Sequence, residues 1–524
     1  MDYESRRAFM RDLRALAGAT LCVGFPGDVA SPTLLDELRD LGPCGVVLFA
    51  RNVSTRAGTS GLVAAVSHAL TDRDAREPLV CVDQEGGRVA RLRFSDVVPA
   101  MLALAAADDV ELARRAGVRL GRDLAQIGAN VDFAPVLDLA LAPGATAIGT
   151  RALGDDPARA ARLGAALVRG LQSTGVAATV KHFPGHGESD LDPHVAFPVR
   201  DAIAARDLMP FEAAVEAGAL AAMSAHVVVR EHGTLPATLT RAILTDLLRD
   251  RLGFSGVLFT DCLQMDAIAR GVGTARGAVL ALAAGADVLL VSHDLAIARE
   301  ARDAIVAAVE SGEVPRARLE AAVARTDALR AHLASLRLRR ETVAKEEDDG
   351  IAAQIARASI VRVRGEARLD AERPIAIVSF EGVIADGIAS TAAERPSLSL
   401  ALRRRRFRSE YFRVPANPDA TMREMLLEVL GAQRVHGERT LAIVARRAHL
   451  HPEQRELIGA LLAIEPDAIG ISALEPFDVP VFAVAKTVYA TCGDDELAIE
   501  ALAGVLAGRA QAHGTLPIDL ATHV

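Results

Sequence analysis

Between about residues 17 and 311, short runs rich in Val, Leu and Ala, each closing in polar residues and Gly, alternate eight times with amphipathic helical patterns. This alternation constrains the fold more than any other feature of the chain. A short continuous apolar run is a strand buried on both faces, and strand, helix, strand in succession is the parallel βαβ unit. The eight strand candidates are Thr20–Gly24, Gly45–Phe49, Leu79–Asp83, Asn130–Pro135, Ala177–His182, Ala221–His226, Gly256–Asp261 and Asp287–Ser292. Helical patterns follow most of them, for example Ser31–Leu41 with Pro32 at the first helical position, and Thr240–Leu252 with Thr240 as N-cap. A doubly wound open sheet is the rival architecture. The count of eight, with polar residues gathered just past the strand ends, favours a (β/α)8 TIM-like barrel.

After Arg340 the segment ETVAKEEDDG is polar and charged, with nothing to bury. It reads as a linker over 341–350 between a barrel over 1–340 and a smaller α/β sandwich domain over 351–524. In that second domain strands are expected at Ile375–Phe380, Thr440–Ala445, Ala468–Ser472 and Val481–Ala485, and helices near 418–431, 452–464 and 494–508. The run Arg403–Arg406 reads as a solvated helix end, because consecutive arginines on a helix point in different directions and nearby acids dilute their field.

Composition narrows the function. With 59 Lys and Arg against 68 Asp and Glu the net charge is −9, which opposes a nucleic-acid partner. At 51% hydrophobic residues most of the chain folds. Absence of Trp, with three Tyr, argues against a stacking platform for nucleic acid and a long polysaccharide groove. The charged N-terminus does not read as a signal peptide, and the richest apolar stretch, Gly277–Val291, is broken by Asp287. A soluble protein with no membrane partner is expected, and its oligomeric state is not legible. Five widely spaced cysteines, Cys22, Cys44, Cys81, Cys262 and Cys492, fit reduced thiols in the cytoplasm better than a disulfide framework.

In a barrel the chemistry lies where strands end. The third strand closes in DQEGGRVARL from Asp83, the fourth in NVDFAPVLDL from Asn130, the fifth in KHFPGHGESDLDPH from Lys181, the sixth in SAH from Ser224 and the seventh in TDCLQM from Thr260. Asp192 and His194 stand two apart, so in extended chain the carboxylate can orient the imidazole and raise its basicity. Asp261 closes an otherwise apolar strand and is a plausible nucleophile. Three other chemistries weigh less. Lys181 as a Schiff base needs an apolar pocket, which adjacent His182 and Arg151 oppose. A metal at His182, His186, His194 and Asp192 lacks the HxH or HExxH spacing and has Lys181 beside it. The pair Gly86 and Gly87 is a weak phosphate signal and reads as a turn.

Together these segments resemble the family 3 glycoside hydrolases, specifically their bacterial β-N-acetylglucosaminidase (β-hexosaminidase) branch. The residues that carry the resemblance are DQEGGRV at Asp83, NVDFAPVLD at Asn130, IGTRALGDDP around Arg151, KHFPGHG at Lys181, the Asp192/His194 pair, MSAHV at Met223, PATLT at Pro236 and FTDCLQM around Asp261. They lie in family order over about 300 residues. The resemblance implies a retaining mechanism with Asp261 as nucleophile, His194 as acid/base and Asp192 orienting it. It also implies that Asp83, Arg151, Lys181 and His182 bind the terminal sugar, that Asp132 supports the pocket, and that no cofactor or metal takes part. His226 reads as a packing or supporting residue and His186 as a scaffold for its loop. Pro193, Glu188 and Cys262 depart from the residues frequent in relatives. The ending GTLPIDL resembles the terminus of two-domain relatives, which implies a scaffold or loop-supporting role for the second domain.

The expected activity is removal of terminal, non-reducing β-linked N-acetylglucosamine from small saccharide fragments, such as products of peptidoglycan turnover. Alternatives are a phosphorylase or transglycosidase on the same sugars, a β-glucosidase, or a non-catalytic sugar-binding protein.

Overall fold

The structure, a computed structural model, describes residues 3–72, 76–145, 147–187, 198–337, 350–381, 397–436 and 439–522. All eight expected strands form: β1 Leu21–Val23, β2 Gly45–Leu48, β3 Leu79–Val82, β4 Val131–Asp132, β5 Ala177–Phe183, β6 Ala221–Ser224, β7 Val257–Phe259 and β8 Leu289–Val291. They pair in parallel in chain order, β8 lies beside β1, and a parallel bridge from Phe259 to Val288 joins β7 to β8. The sheet is therefore a barrel, and the open-sheet alternative is excluded.

Strand residues divide between two apolar layers, as the two-residue period of a strand requires. In β3, Leu79 and Cys81 belong to the inner cluster, with Val131, Ala177, Val257 and Phe259. Val80 and Val82 belong to the outer cluster under the helices. The Phe133 and Phe259 rings meet edge to face at 5.3 Å inside the barrel. All five cysteines are buried free thiols.

Ser31 caps the helix Pro32–Leu41, its hydroxyl accepting from the Leu34 amide, with Pro32 at the first helical position. Thr240 stands at the cap position, extended and with its carbonyl accepting from the Leu244 amide, but its side chain does not cap the helix. Its hydroxyl donates to the Pro236 carbonyl, and the helix that follows, Ala242–Arg251, is of the wide π type.

The second domain is a six-stranded sheet of β9 Val361–Arg364, β10 Ile375–Glu381, β11 Ser409–Pro415, β12 Thr440–Arg446, β13 Ile469–Ala473 and β14 Thr487–Ala490. Its order is β9-β14-β13-β12-β10-β11, parallel except for β9. Helices occupy Ala420–His436, Pro452–Ile464 and Glu496–Leu506, where they were expected. The strand expected at Val481–Ala485 does not form. Pro476 and Pro480 remove amide donors from that stretch, which makes a 3₁₀ helix over Pro476–Phe482, and the strand begins at Thr487. Arg403, Arg404 and Arg405 bond Ser409, Glu496 and Glu500, so the arginine run belongs to local ion pairing. Most of the linker expected at 341–350 lies outside the described residues. No described helix is long and apolar enough to cross a membrane.

Candidate active site

The polar strand ends meet around one cavity of about 590 Å³ at the C-terminal mouth of the barrel. Asp83, Glu85, Arg151, Lys181, His182, His186 and Asp261 all line it. Strands β3, β5 and β7 thus carry side chains from distant parts of the sequence to one place.

Lys181 lies on β5, two residues before its end, and its ammonium lies 2.8 Å from Asp83 Oδ1 and 2.6 Å from Glu85 Oε1. Arg151 stands on a single 3₁₀ turn, Gly149–Arg151, and donates to both Glu85 oxygens, at 2.7 and 2.8 Å. Lys181 and Glu85 are 2% exposed and Arg151 8%. Burying such charges is costly unless they are paired, and here two carboxylates alternate with two cations. Burial raises the Glu85 carboxyl, but Arg151 and Lys181 outweigh it and hold it well below the usual range. Burial likewise opposes the charge on Lys181, and Asp83 and Glu85 overcome it and raise its pKa. A Lys181 kept as ammonium is not the neutral amine that Schiff-base chemistry needs.

Behind this row sits Asp138, 2% exposed. Its Oδ2 accepts from the His182 amide at 3.0 Å and from His182 Nδ1 at 2.7 Å. Its Oδ1 accepts from the His186 amide at 2.9 Å and from His186 Nδ1 at 2.8 Å. Burial lowers the His182 pKa, and Arg151 and His186 add to that effect against the pull of Asp138. Neutral His182 therefore carries its proton on Nδ1, and Nε2 is left as an acceptor. Asp138, His182 and His186 have the residue types of a metal site. Each Nδ1, however, is hydrogen-bonded to an Asp138 oxygen, at 2.7 and 2.8 Å, closer than the ~3.3 Å between ligands of a tetrahedral ion with ~2.0 Å bonds. The trio is a hydrogen-bonded scaffold.

Asp261 follows β7, and its Oδ1 accepts from the Cys262 amide at 2.7 Å. Burial raises its pKa, but His226, His182 and that amide outweigh burial and lower it, so the group is a carboxylate. His226 is buried, with Nδ1 2.8 Å from the Thr238 hydroxyl and Nε2 2.9 Å from the Cys262 carbonyl. It supports the backbone beside Asp261, in line with its expected supporting role.

Asp132 is absent from the cavity wall. It is fully buried, its Oδ1 accepts from the Gln84 amide, and burial pushes its pKa well up. Gly86 and Gly87 form a turn at φ 95° and 55°, packed so close to Val98, Pro99 and Ala100 that a Cβ would lie within 3 Å of their atoms. That contact, and not a phosphate, accounts for the glycine pair.

Asp192 and His194 lie outside the described residues. Of the residues described on either side, Arg200 donates to the Gly185 carbonyl at 3.0 Å and pairs with Asp207. Sequence reasoning singled out Asp83, Arg151, Lys181, His182 and Asp261, and the structure brings these together. It missed Glu85 and Asp138, although each stands in a quoted segment. No local signal marked Glu85, because its partners Lys181 and Arg151 stand far along the chain.

Comparison with known proteins follows the same lines. The sequence profile of the glycosyl hydrolase family 3 N-terminal domain matches residues 30–329. A β-hexosaminidase of Stenotrophomonas maltophilia (strain K279a) is 39% identical over 284 residues, 52% of this chain and 83% of that protein. One from Xylella fastidiosa (strain 9a5c) is 41% identical over 285 residues, covering 52% and 83%. The solved structure of a glycoside hydrolase family 3 β-N-acetylglucosaminidase from Paenibacillus sp. str. FPU-7 superposes with a TM-score of 0.89 at 35% identity, over 98% of this chain and 99% of that one.

Proposed function

This chain belongs to glycosyl hydrolase family 3, in its bacterial β-hexosaminidase branch, and on that premise we propose that it is an exo-acting, retaining β-N-acetylhexosaminidase. The observation that carries the reading is the ion-paired row Asp83, Lys181, Glu85, Arg151 facing one cavity at the barrel mouth beside an ionised Asp261. Charged groups already fixed by one another bind hydroxyl and amide groups of a single sugar without aromatic stacking. Asp83, Arg151, Lys181 and His182 take that role. The absence of Trp supports small fragments over long polymers.

In the proposed reaction an Asp261 oxygen attacks the anomeric carbon while the protonated His194 ring gives its proton to the departing glycosidic oxygen, so one C–O bond forms as another breaks. Neutral His194, oriented by Asp192, then takes a proton from water, whose oxygen displaces Asp261 and releases the sugar. No cofactor or metal enters. We assign the barrel to 1–340, the linker to 341–350 and the second domain to 351–524, and place the enzyme in the cytoplasm on peptidoglycan turnover fragments.

A chromogenic β-N-acetylglucosaminide, assayed with and without phosphate and beside the matching glucoside, tests the reading. Free N-acetylglucosamine is expected in both buffers, with the glucoside a poor substrate. Dominant sugar 1-phosphate would overturn hydrolysis, and a preference for the glucoside would overturn the acetamido specificity.

A further inference from the structure

The second domain turns the C-terminal ends of its parallel strands toward the barrel mouth. In an open α/β sheet that edge is where a ligand binds, in the crevice where strand order reverses. Here the reversal lies at β10, and Arg446 from the end of β12 fills it. Its guanidinium donates to the Ser379 hydroxyl at 2.8 Å and the Phe380 carbonyl at 2.9 Å, and pairs with Asp494 at 3.1 Å. The crevice is used for structure, and the residues just beyond it reach the barrel.

Just past β12, β13 and β14 stand Arg447, Leu474 and Cys492, with φ of 55°, 72° and 53°. Left-handed backbone costs a non-glycine residue on the order of 1 kcal/mol or more, and persists where the surroundings over-determine it. The surroundings here include the barrel. Arg447 donates to both Glu475 oxygens at 3.2 and 2.9 Å. Glu475 Oε1 presses on Gly149, where a Cβ would approach it to 2.3 Å. The His449 ring reaches from Asp478, 2.7 Å from Nδ1, to the Pro143 carbonyl, 3.2 Å from Nε2. On the far side, the Asp155 amide donates to the Pro517 carbonyl at 3.2 Å and the Asp519 amide to Asp155 at 2.7 Å.

The second domain thus holds both ends of the barrel segment 143–155. The middle of that segment carries Arg151, and Ala147 and Ile148 line the cavity. Arg151 and Arg88 both donate to the Ala147 carbonyl, at 2.9 and 3.3 Å, so a shift of the turn moves the guanidinium that holds Glu85.

We propose that Glu475 and His449 are positioning residues of the second domain: by clamping the 143–149 turn they set the place of Arg151 against the sugar. This rests on the reading that Arg151 binds substrate. Neither residue lines the cavity, and both act through the turn.

The test uses the full chain and the chromogenic N-acetylglucosaminide, with thermal unfolding of every variant. Misplacing one binding group without touching the reacting atoms raises KM and spares kcat. Glu475→Ala is expected to raise KM about tenfold with kcat within about twofold, and Glu475→Gln, which keeps volume and one acceptor for Arg447, to recover part of that loss. In an Arg151→Ala background, Glu475→Ala should add less than about twofold, since residues acting through one group are not additive. If Glu475→Ala does not fold, Glu475→Gln and His449→Ala carry the same comparison. An unchanged KM in the folded Glu475 and His449 variants beside a raised KM in Arg151→Ala overturns the clamp alone, as does an additive double variant. An unchanged KM in Arg151→Ala overturns the substrate contact and the clamp with it.

Discussion

Asp138 binds His182 twice through a single oxygen, Oδ2, which accepts from the histidine's backbone amide at 3.0 Å and from its Nδ1 at 2.7 Å. The same carboxylate treats His186 alike through Oδ1. One buried acid thereby fixes the backbone at the end of β5 and the tautomer of a ring that lines the cavity.

Replacing Asp138 by Ala leaves four buried N–H donors without their acceptor. At ~1–3 kcal/mol for each unsatisfied group, a stability loss of at least ~3 kcal/mol is expected. A drop in kcat/KM of about tenfold or more should accompany it as His182 loses its fixed orientation. Asp138→Asn keeps one acceptor and should fall between. Urea unfolding and steady-state kinetics on both variants check this, and an Asp138→Ala enzyme of full stability would contradict it.

Asp261→Ala should reduce kcat by roughly three orders of magnitude or more, since it removes the proposed nucleophile. Among the described residues the side chain makes one hydrogen bond, to the neighbouring Cys262 amide, so the melting temperature should change little. Activity surviving the change, in protein free of contaminating enzyme, removes Asp261 from the nucleophile's role.

Lys181→Met leaves the half-buried Asp83 with Arg91 alone, at 3.4 Å, and the buried Glu85 with Arg151 alone. Breaking a buried pair on one side costs ~3–5 kcal/mol, far more than the net worth of the intact pair. A large fall in stability is expected together with a raised KM, whereas a pocket tolerant of the change would show that the row is not tightly coupled. Denaturant midpoints and KM measured on one preparation separate the two effects.

Glu475 gives a pH prediction with a definite sign. Burial raises its pKa, but Arg447 and Arg88 outweigh burial and bring it from 4.5 to about 2. A depressed carboxyl contributes stability that is fully present above its unfolded value and is lost as pH falls through its folded value, here between about 4.5 and 2. For a residue 3% exposed this amounts to ~3 kcal/mol. Glu475→Gln should be less stable than the parent at pH 7, and the difference should shrink on acidification through that window. A constant difference from pH 7 to pH 3 would refute the assignment.

The eight strands were legible because each is built on a short, largely apolar run, a pattern that depends only on neighbours in sequence. So were Asp83, Lys181 and Asp261, since a strand end in a barrel points a polar residue at the mouth. Arg151 and His182 came from motif strings. Glu85 and Asp138 were not legible as site residues, because an acid is fixed by its partner and theirs lie 66 and 44 residues away in the chain. In the second domain, β9 and β11 lie at the sheet's edges and bury only part of their length, which leaves no continuous apolar run to read.

By itself the sequence determined that this chain folds as a barrel with its polar residues at one mouth, because burial pattern and strand period are local properties. Tertiary structure decided which charges neutralise which, that Asp138 anchors two histidines, and that Glu475 and His449 reach across to the turn behind Arg151. Those relations depend on distances of 2.6–3.2 Å between groups far apart in sequence. Only the closed barrel and the docked second domain bring such groups together.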